Sequence, residues 1–212
     1  MEGIQKNLRI ILSFSILLLL VVHNVQAQSN AGRGQYKQCE PCHGAQGEGK
    51  QNLKAPAIAG LPAWYITEQL NKFKGDIRGK HPKDIAGMRM RPMAKTIQPR
   101  RMEMIASYIS QLPPTTPPDT VKGDAEAGKI LYAVCSACHG SDGKGNKDLS
   151  SPPLIYSNDW YHVTQLKNFQ GSVRGSNPEK DINGSTMQAM ANTLPDEKAI
   201  IDVVTYINTL KK

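Results

Sequence analysis

Two short segments of this chain set thiols and an imidazole at a fixed spacing. They are Cys39-Glu40-Pro41-Cys42-His43 and Cys135-Ser136-Ala137-Cys138-His139. Cysteines three apart lie on one face of a helical turn, so both thiols can reach the two vinyl groups along one haem edge. The histidine, four residues after the first cysteine, lies on the same face, and its imidazole can rise beneath the macrocycle to bind iron. Both segments therefore read as C-x-x-C-H, the pattern of covalent c-type haem attachment. A redox-active dithiol would come with a thioredoxin-like βαβ pattern, which is missing. One zinc site would have to join cysteines 96 residues apart in equivalent places. Structural disulfides do not require a histidine after each pair.

The two motifs belong to a repeat that runs through the chain at an offset of 96 residues. Gly32 pairs with Gly128, Tyr36 with Tyr132, Gly44 with Gly140, and Pro56 with Pro152. Trp64-Tyr65 pairs with Trp160-Tyr161, Phe73 with Phe169, and Arg78-Gly79 with Arg174-Gly175. One inserted residue then shifts the offset to 97, which pairs Met90 with Met187 and Met93-Ala94 with Met190-Ala191. This marks a duplicated domain. Between the copies lies Pro113-Pro114-Thr115-Thr116-Pro117-Pro118, an extended, stiff spacer. The expected organisation is a leader over 1–27, one domain over 28–112, a Pro-rich linker over 113–120 and a second domain over 121–212.

The elements that must position these residues are helices. Ile200, Val203, Val204, Ile207 and Leu210 recur on one helical face, as do Ile105, Tyr108, Ile109 and Leu112. A second helix is expected from about Trp64 and Trp160, closed at Gly75 and Gly171. A third leads into each cysteine pair, from about Gly32 and Ala125. No run shows sustained strand alternation, and stretches such as 140–153 are rich in Gly, Ser, Pro and Asp and read as loops. The fold class is all-α, two tandem small helical domains. Each is short of large apolar residues, a gap that a large apolar cofactor at its centre would fill.

The sixth iron ligand is read from the repeat. Of the five histidines, His23 lies in the leader, and His43 and His139 are the proximal candidates. His81 faces Asn177 and His162 faces Ile66 in the repeat, so neither is shared. Methionine fits two equivalent sites better, as Met90 with Met187 or as Met93 with Met190. Met88 has Ser185 opposite and is set aside. Both pairs sit in a loop-like stretch between Arg-Gly and the last helix. His/Met ligation saturates the iron and leaves outer-sphere electron transfer as its chemistry.

On these motifs the chain resembles the class I bacterial cytochromes c, and among them the two-domain, dihaem cytochrome c4 group. The likeness rests on the leader, both C-x-x-C-H motifs, Met90-x-x-Met93-Ala94-x-x-Ile97, Met187-x-x-Met190-Ala191-x-x-Leu194, and a last helix carrying Tyr108 or Tyr206. It implies Met90 and Met187 as axial ligands, each seven residues before the apolar residue that opens the last helix. It implies two haem c groups whose propionate edges lie near each other. It also implies single-electron transfer between respiratory partners, with a cytochrome bc complex or dehydrogenase as donor and a terminal oxidase or reductase as acceptor. The chain departs from the family at Ile97-Gln98-Pro99, where Leu-Ser-Asp is usual; this bears on capping of the last helix in the first half. A dihaem enzyme with one open iron, or a cytochrome subunit of a dehydrogenase or oxidase, is the alternative.

Composition agrees with an exported carrier. Lys6 and Arg9 precede an apolar run over Ile10–Val22, and Val25-Gln26-Ala27 supplies small residues for cleavage, so residues 1–27 read as a secretory signal peptide leading to the periplasm. The run is shorter than the roughly 20 residues a spanning helix needs. The formal charge is +8, of which the leader holds +1. A basic surface favours acidic redox partners or an anionic membrane surface. Nucleic acid is not expected, since the chain has no basic helix and no basic-aromatic alternation.

Overall fold

The structure is a computed structural model and describes residues 31–211. The expected signal peptide over 1–27 lies outside the described residues. The first half holds α1 (helical over 31–36), α2 (Glu40–His43), a 3-10 turn (Gln51–Leu53), α3 (Ala63–Lys74), α4 (Ile85–Thr96) and α5 (Pro99–Gln111). The second half holds α6 (Ala125–His139), α7 (Asp159–Gln170), α8 (Ile182–Ala191) and α9 (Glu197–Thr209). The described residues form no strands, only the isolated bridges Lys50–Ala55 and Asn146–Ser151, which are equivalent in the repeat. No helix among the described residues is long and apolar enough to cross a membrane.

The helix leading into the second cysteine pair is continuous, capped by Asp124, whose carboxylate accepts the N–H groups of Glu126 and Ala127 at 2.9 and 3.1 Å. In the first half the same path breaks into α1 and α2. Pro41 stands where Ala137 stands in α6, and it supplies no N–H to a continuing helix and crowds the preceding turn.

The last helix of each half carries the core. In α5, Met102, Ile105, Ala106 and Ile109 are buried; in α9, Ile200, Val203, Val204 and Ile207 are. Each large side chain among them contributes about 1.5–3 kcal/mol by leaving water. The two helices begin differently, as the departure at Gln98-Pro99 foreshadowed. Asp196 accepts the N–H of Ala199 at 2.8 Å, whereas Gln98 makes no side-chain cap and Pro99 enters the first turn. Gly32 and Gly128 recur because the entering helix crosses the last helix there at close range. A Cβ on Gly128 would lie 2.0 Å from the Asp202 carbonyl oxygen, and one on Gly32 would lie 2.8 Å from that of Met104.

Of two details in the sequence reading, one holds and one does not. Gly75 and Gly171 do close α3 and α7, but with φ of −85° and −80°; the left-handed residues are the next ones, Asp76 (60°) and Ser172 (56°). The stretch between Arg-Gly and the last helix is not loop-like. It forms α4 and α8, opened by Asp84 and Asp181, which accept the N–H groups of Gly87 and Gly184 at 3.0 and 2.9 Å. The apolar period is weak because the inner face is built from Gly87, Met90 and Ala94, and α4 also carries Pro92.

Residues 113–124 are not helical, and their end is tied to the second half. The Asp159 carboxylate accepts the N–H groups of Thr120 and Val121 (2.5 and 2.7 Å), the Thr120 hydroxyl (2.7 Å) and the Asn208 amide (3.1 Å). Two apolar clusters result, one per half, around Tyr36 and Tyr132.

Candidate functional site

The two halves face each other across one continuous cavity of about 460 Å³. Cys39, Cys42 and His43 line it from the first half, and Cys135, Cys138 and His139 from the second. Met90, Met93, Met187 and Met190 line it from α4 and α8. No disulfide joins the four cysteines, and they do not gather into one cluster. Among the described residues no group of three or more His, Cys, Asp and Glu side chains is placed to hold a metal ion.

Each motif histidine is held by its own loop. His43 Nδ1 lies 2.8 Å from the Pro56 carbonyl oxygen, and His139 Nδ1 lies 2.8 Å from that of Pro152. A carbonyl oxygen only accepts, so Nδ1 carries the proton and the lone pair sits on Nε2, the atom a metal would take. Burial lowers the pKa of both imidazoles below the ordinary range, which keeps that lone pair free. The loops are pinned by buried tyrosines. The hydroxyls of Tyr36 and Tyr132 donate to the carbonyl oxygens of Gly44 and Gly140, just after each histidine, at 2.7 and 2.8 Å. Burial, with Glu40 and Cys42 nearby, raises the Cys39 thiol to about 11.

The two candidate methionine pairs are not alike in exposure. Met90 packs against the core of the first half, and Met187 is half-buried. Met93 and Met190 are 44% and 38% exposed, and Met88 is exposed as well. His81 is engaged at the surface, accepting the N–H of Lys83 at 3.2 Å. His162 lines the second half of the cavity, and its Nε2 lies 2.8 Å from the Leu154 carbonyl oxygen. Burial pushes its pKa down to about 4, so it is neutral.

Where the halves meet, the sequence reading missed a set of residues. Arg78 donates to Gln69 of its own half at 2.7 Å, and to Gln165 and Tyr161 of the other at 3.2 and 3.3 Å. Arg174 donates to Gln165 at 2.8 Å and crosses to Gln69 at 2.9 Å. Each guanidinium stacks on a phenylalanine ring, Phe73 at 4.4 Å and Phe169 at 4.6 Å. Both arginines are buried, and the Nε of each has no partner. The signal was present, since Gln69 and Gln165 occupy the same repeat position as surely as the Arg-Gly pairs do. The turn is set by Gly79 and Gly175, at φ 72° and 80°, where a Cβ would stand 2.2 Å from the carbonyl oxygens of Gly87 and Gly184. Lys72 adds a buried ion pair across the boundary with Asp181 at 2.7 Å. An apolar cavity lined by imidazoles, thioethers and two arginines with unpartnered Nε–H groups fits a large flat group with an acidic edge.

The comparisons with known proteins point the same way. The chain is 27% identical over 191 residues to a thiosulfate dehydrogenase electron acceptor of Stutzerimonas stutzeri, covering 80% of this chain and 83% of that protein. It is 25% identical over 194 residues to cytochrome c4 of Azotobacter vinelandii, covering 85% and 88%. Among solved structures, the thiosulfate dehydrogenase TsdBA of Marichromatium purpuratum superposes with a TM-score of 0.70 at 26% identity. That match covers 85% of this chain but only 40% of the Marichromatium chain. The Cytochrome c family pattern matches residues 29–113 and again 125–211. With two tandem helical domains, each carrying its C-x-x-C-H, the chain belongs to the cytochrome c family, as a dihaem class I member similar to cytochrome c4.

Proposed function

We propose that this chain is an exported carrier of single electrons, with one haem c in each half. Cys39 and Cys42 hold the first by thioether bonds, and Cys135 and Cys138 the second. His43 with Met90, and His139 with Met187, would hold the iron of each. Bound haem supplies a one-electron ferric/ferrous couple; the rest is done by the chain. The Pro56 and Pro152 carbonyls orient the imidazoles. The thioethers of α4 and α8 would close the remaining position to substrate. Arg78 and Arg174, whose buried Nε–H groups have no other partner, would receive the acidic edges of the bound groups.

The observation that carries this reading is the convergence of both motif histidines and the half-buried Met90 and Met187 on one cavity. The domains are taken as 28–112 and 121–212, joined by the linker 113–120, with 1–27 removed on export to the periplasm. The electron-acceptor relatives favour a thiosulfate-oxidising dehydrogenase as donor class, beside a cytochrome bc complex. The relatives that are subunits of cbb3-type oxidases favour a terminal oxidase as acceptor.

The test is spectroscopic. The mature protein should carry two haems that acid-acetone does not extract. Its reduced form should not bind carbon monoxide stoichiometrically at neutral pH. One haem, or an open iron, would sink the carrier reading.

A further inference from the structure

The two halves share a fold but not a charge. Residues 28–112 hold 14 Lys and Arg against 6 Asp and Glu, a formal +8. Residues 113–212 hold 10 against 11, a formal −1. The contrast is sharpest on the methionine helices. Arg89, Arg91 and Lys95 of α4 stand where α8 has Thr186, Gln188 and Asn192. Just outside the helices, Lys80 stands where the second half has Ser176, and Lys83 where the insertion gives the second half Glu179-Lys180, a pair of opposite charges.

The outward face of α4 has the make-up of an interface. Ile85, Met88 and Met93 are 56%, 46% and 44% exposed. Exposed Lys80, Lys83 and Arg89 surround them. Asp76 neutralises part of the charge of Arg91 and Lys95, with Lys95 at 2.7 Å, and those two still outnumber it. An apolar centre within a cationic rim is the anatomy of a transient protein interface, where methionine is enriched. α8 repeats the apolar part, with Ile182 and Met190 at 72% and 38% exposed, but not the rim. A lipid-surface helix would instead turn a broad apolar stripe outward. The inner side of α4 (Gly87, Met90, Ala94) faces the cavity and the core, Met93 is exposed but also borders the cavity, and of the large side chains only Ile85 and Met88 lie clear of both.

We infer that the outward face of α4, with Lys80 and Lys83, is where this carrier docks a carboxylate-rich redox protein, and that the equivalent face of α8 does not take such a partner. This rests on the carrier reading, and it assigns the partner to the first half. Complementary charge would speed encounter and select the partner.

The experiment uses the dihaem holoprotein in its reduced state, labelled with 15N. The redox-inert anion hexacyanochromate(III) is added at low salt as a paramagnetic probe, and an acidic flavodoxin as the protein probe. Two variants change the net charge equally, Lys83→Glu/Arg89→Glu in the first half and Ser176→Glu/Lys180→Glu/Thr186→Glu in the second. Amides of 80–96 should broaden with the anion, and those of 176–192 should not. The first variant should weaken flavodoxin binding roughly tenfold, the second by less than about threefold. Equal broadening in both halves, or equal losses in both variants, would overturn the assignment. Binding to phosphatidylglycerol vesicles without binding to flavodoxin would hand the face to lipid and overturn it too. Two-haem spectra of all proteins are recorded first, so failure of the carrier reading shows there and not in the docking data.

Discussion

Asn158 Oδ1 accepts the backbone N–H of Ala57 at 2.6 Å, joining residues 101 apart in sequence. Asn158 opens α7, and an asparagine there ordinarily caps its own helix; this one makes no such cap and serves the other half instead. Ser157 completes the pairing, its hydroxyl donating to the Ala57 carbonyl at 3.3 Å. Asn158→Ala should orphan a buried N–H and lower stability by about 1–3 kcal/mol. Urea unfolding of the holoprotein, followed by circular dichroism, measures this. A change within about 0.5 kcal/mol, the range of ordinary surface substitutions, would mean water satisfies the amide.

The methionine assignment predicts a spectrum. Oxidised His/Met iron has a weak sulfur-to-iron band near the red edge of the visible. Met90→Ala or Met187→Ala should each remove about half of it, because each closes one of two equivalent sites. Met93→Ala and Met190→Ala should leave the band in place, as both side chains are partly exposed. Loss on changing Met93 or Met190 would shift the assignment by three residues.

Asp159 gives the protein an acid limit. Burial opposes its ionisation, but the Thr120 hydroxyl, the Val121 N–H, the Asn208 amide and the Thr120 N–H outweigh burial and hold the carboxyl below its ordinary range. A depressed folded-state pKa contributes stability above the unfolded value of about 3.9, and that stability is lost as pH falls through the folded value. Asp159→Asn should lower stability at pH 7 by about 1–3 kcal/mol. It should also flatten the stability profile below about pH 4. Parallel profiles of variant and parent would show that the linker anchor does not titrate.

The Arg-Gly turns predict a steric failure. Gly79→Ala or Gly175→Ala would press a methyl group against the backbone of α4 or α8 and force a left-handed conformation costing about 1–2 kcal/mol before the clash is counted. Either variant should lower the melting temperature and, by displacing the methionine helix, weaken the sulfur-to-iron band of its own half. Unchanged melting would mean that the turn relaxes.

The sequence made part of this legible. The attachment motifs are visible because covalent chemistry demands a rigid spacing, and α5 and α9 because their apolar residues recur on one face. α4 escaped notice for a physical reason. Its inner face is divided between a cavity and the core and is built mostly of small residues, so Gly87, Met90 and Ala94 give no strong apolar period, and Pro92 argues against a helix. The split before Cys42 follows from Pro41, yet it becomes plain only beside the unbroken α6. Gln69 and Gln165 could not be read as a contact. Nothing local to a polar residue on a helix says that an arginine about a hundred residues away will meet it.

That contact constrains how such a chain can change over generations. The Gln69 side-chain oxygen serves the arginines of both halves, and so does that of Gln165. Replacing either glutamine disturbs both copies at once, and a compensating substitution must arise in the other copy as readily as in its own. The duplication has thus lost its spare part. Surfaces of the two domains are free to drift apart, as their charges have, while the seam between them must evolve as a single unit.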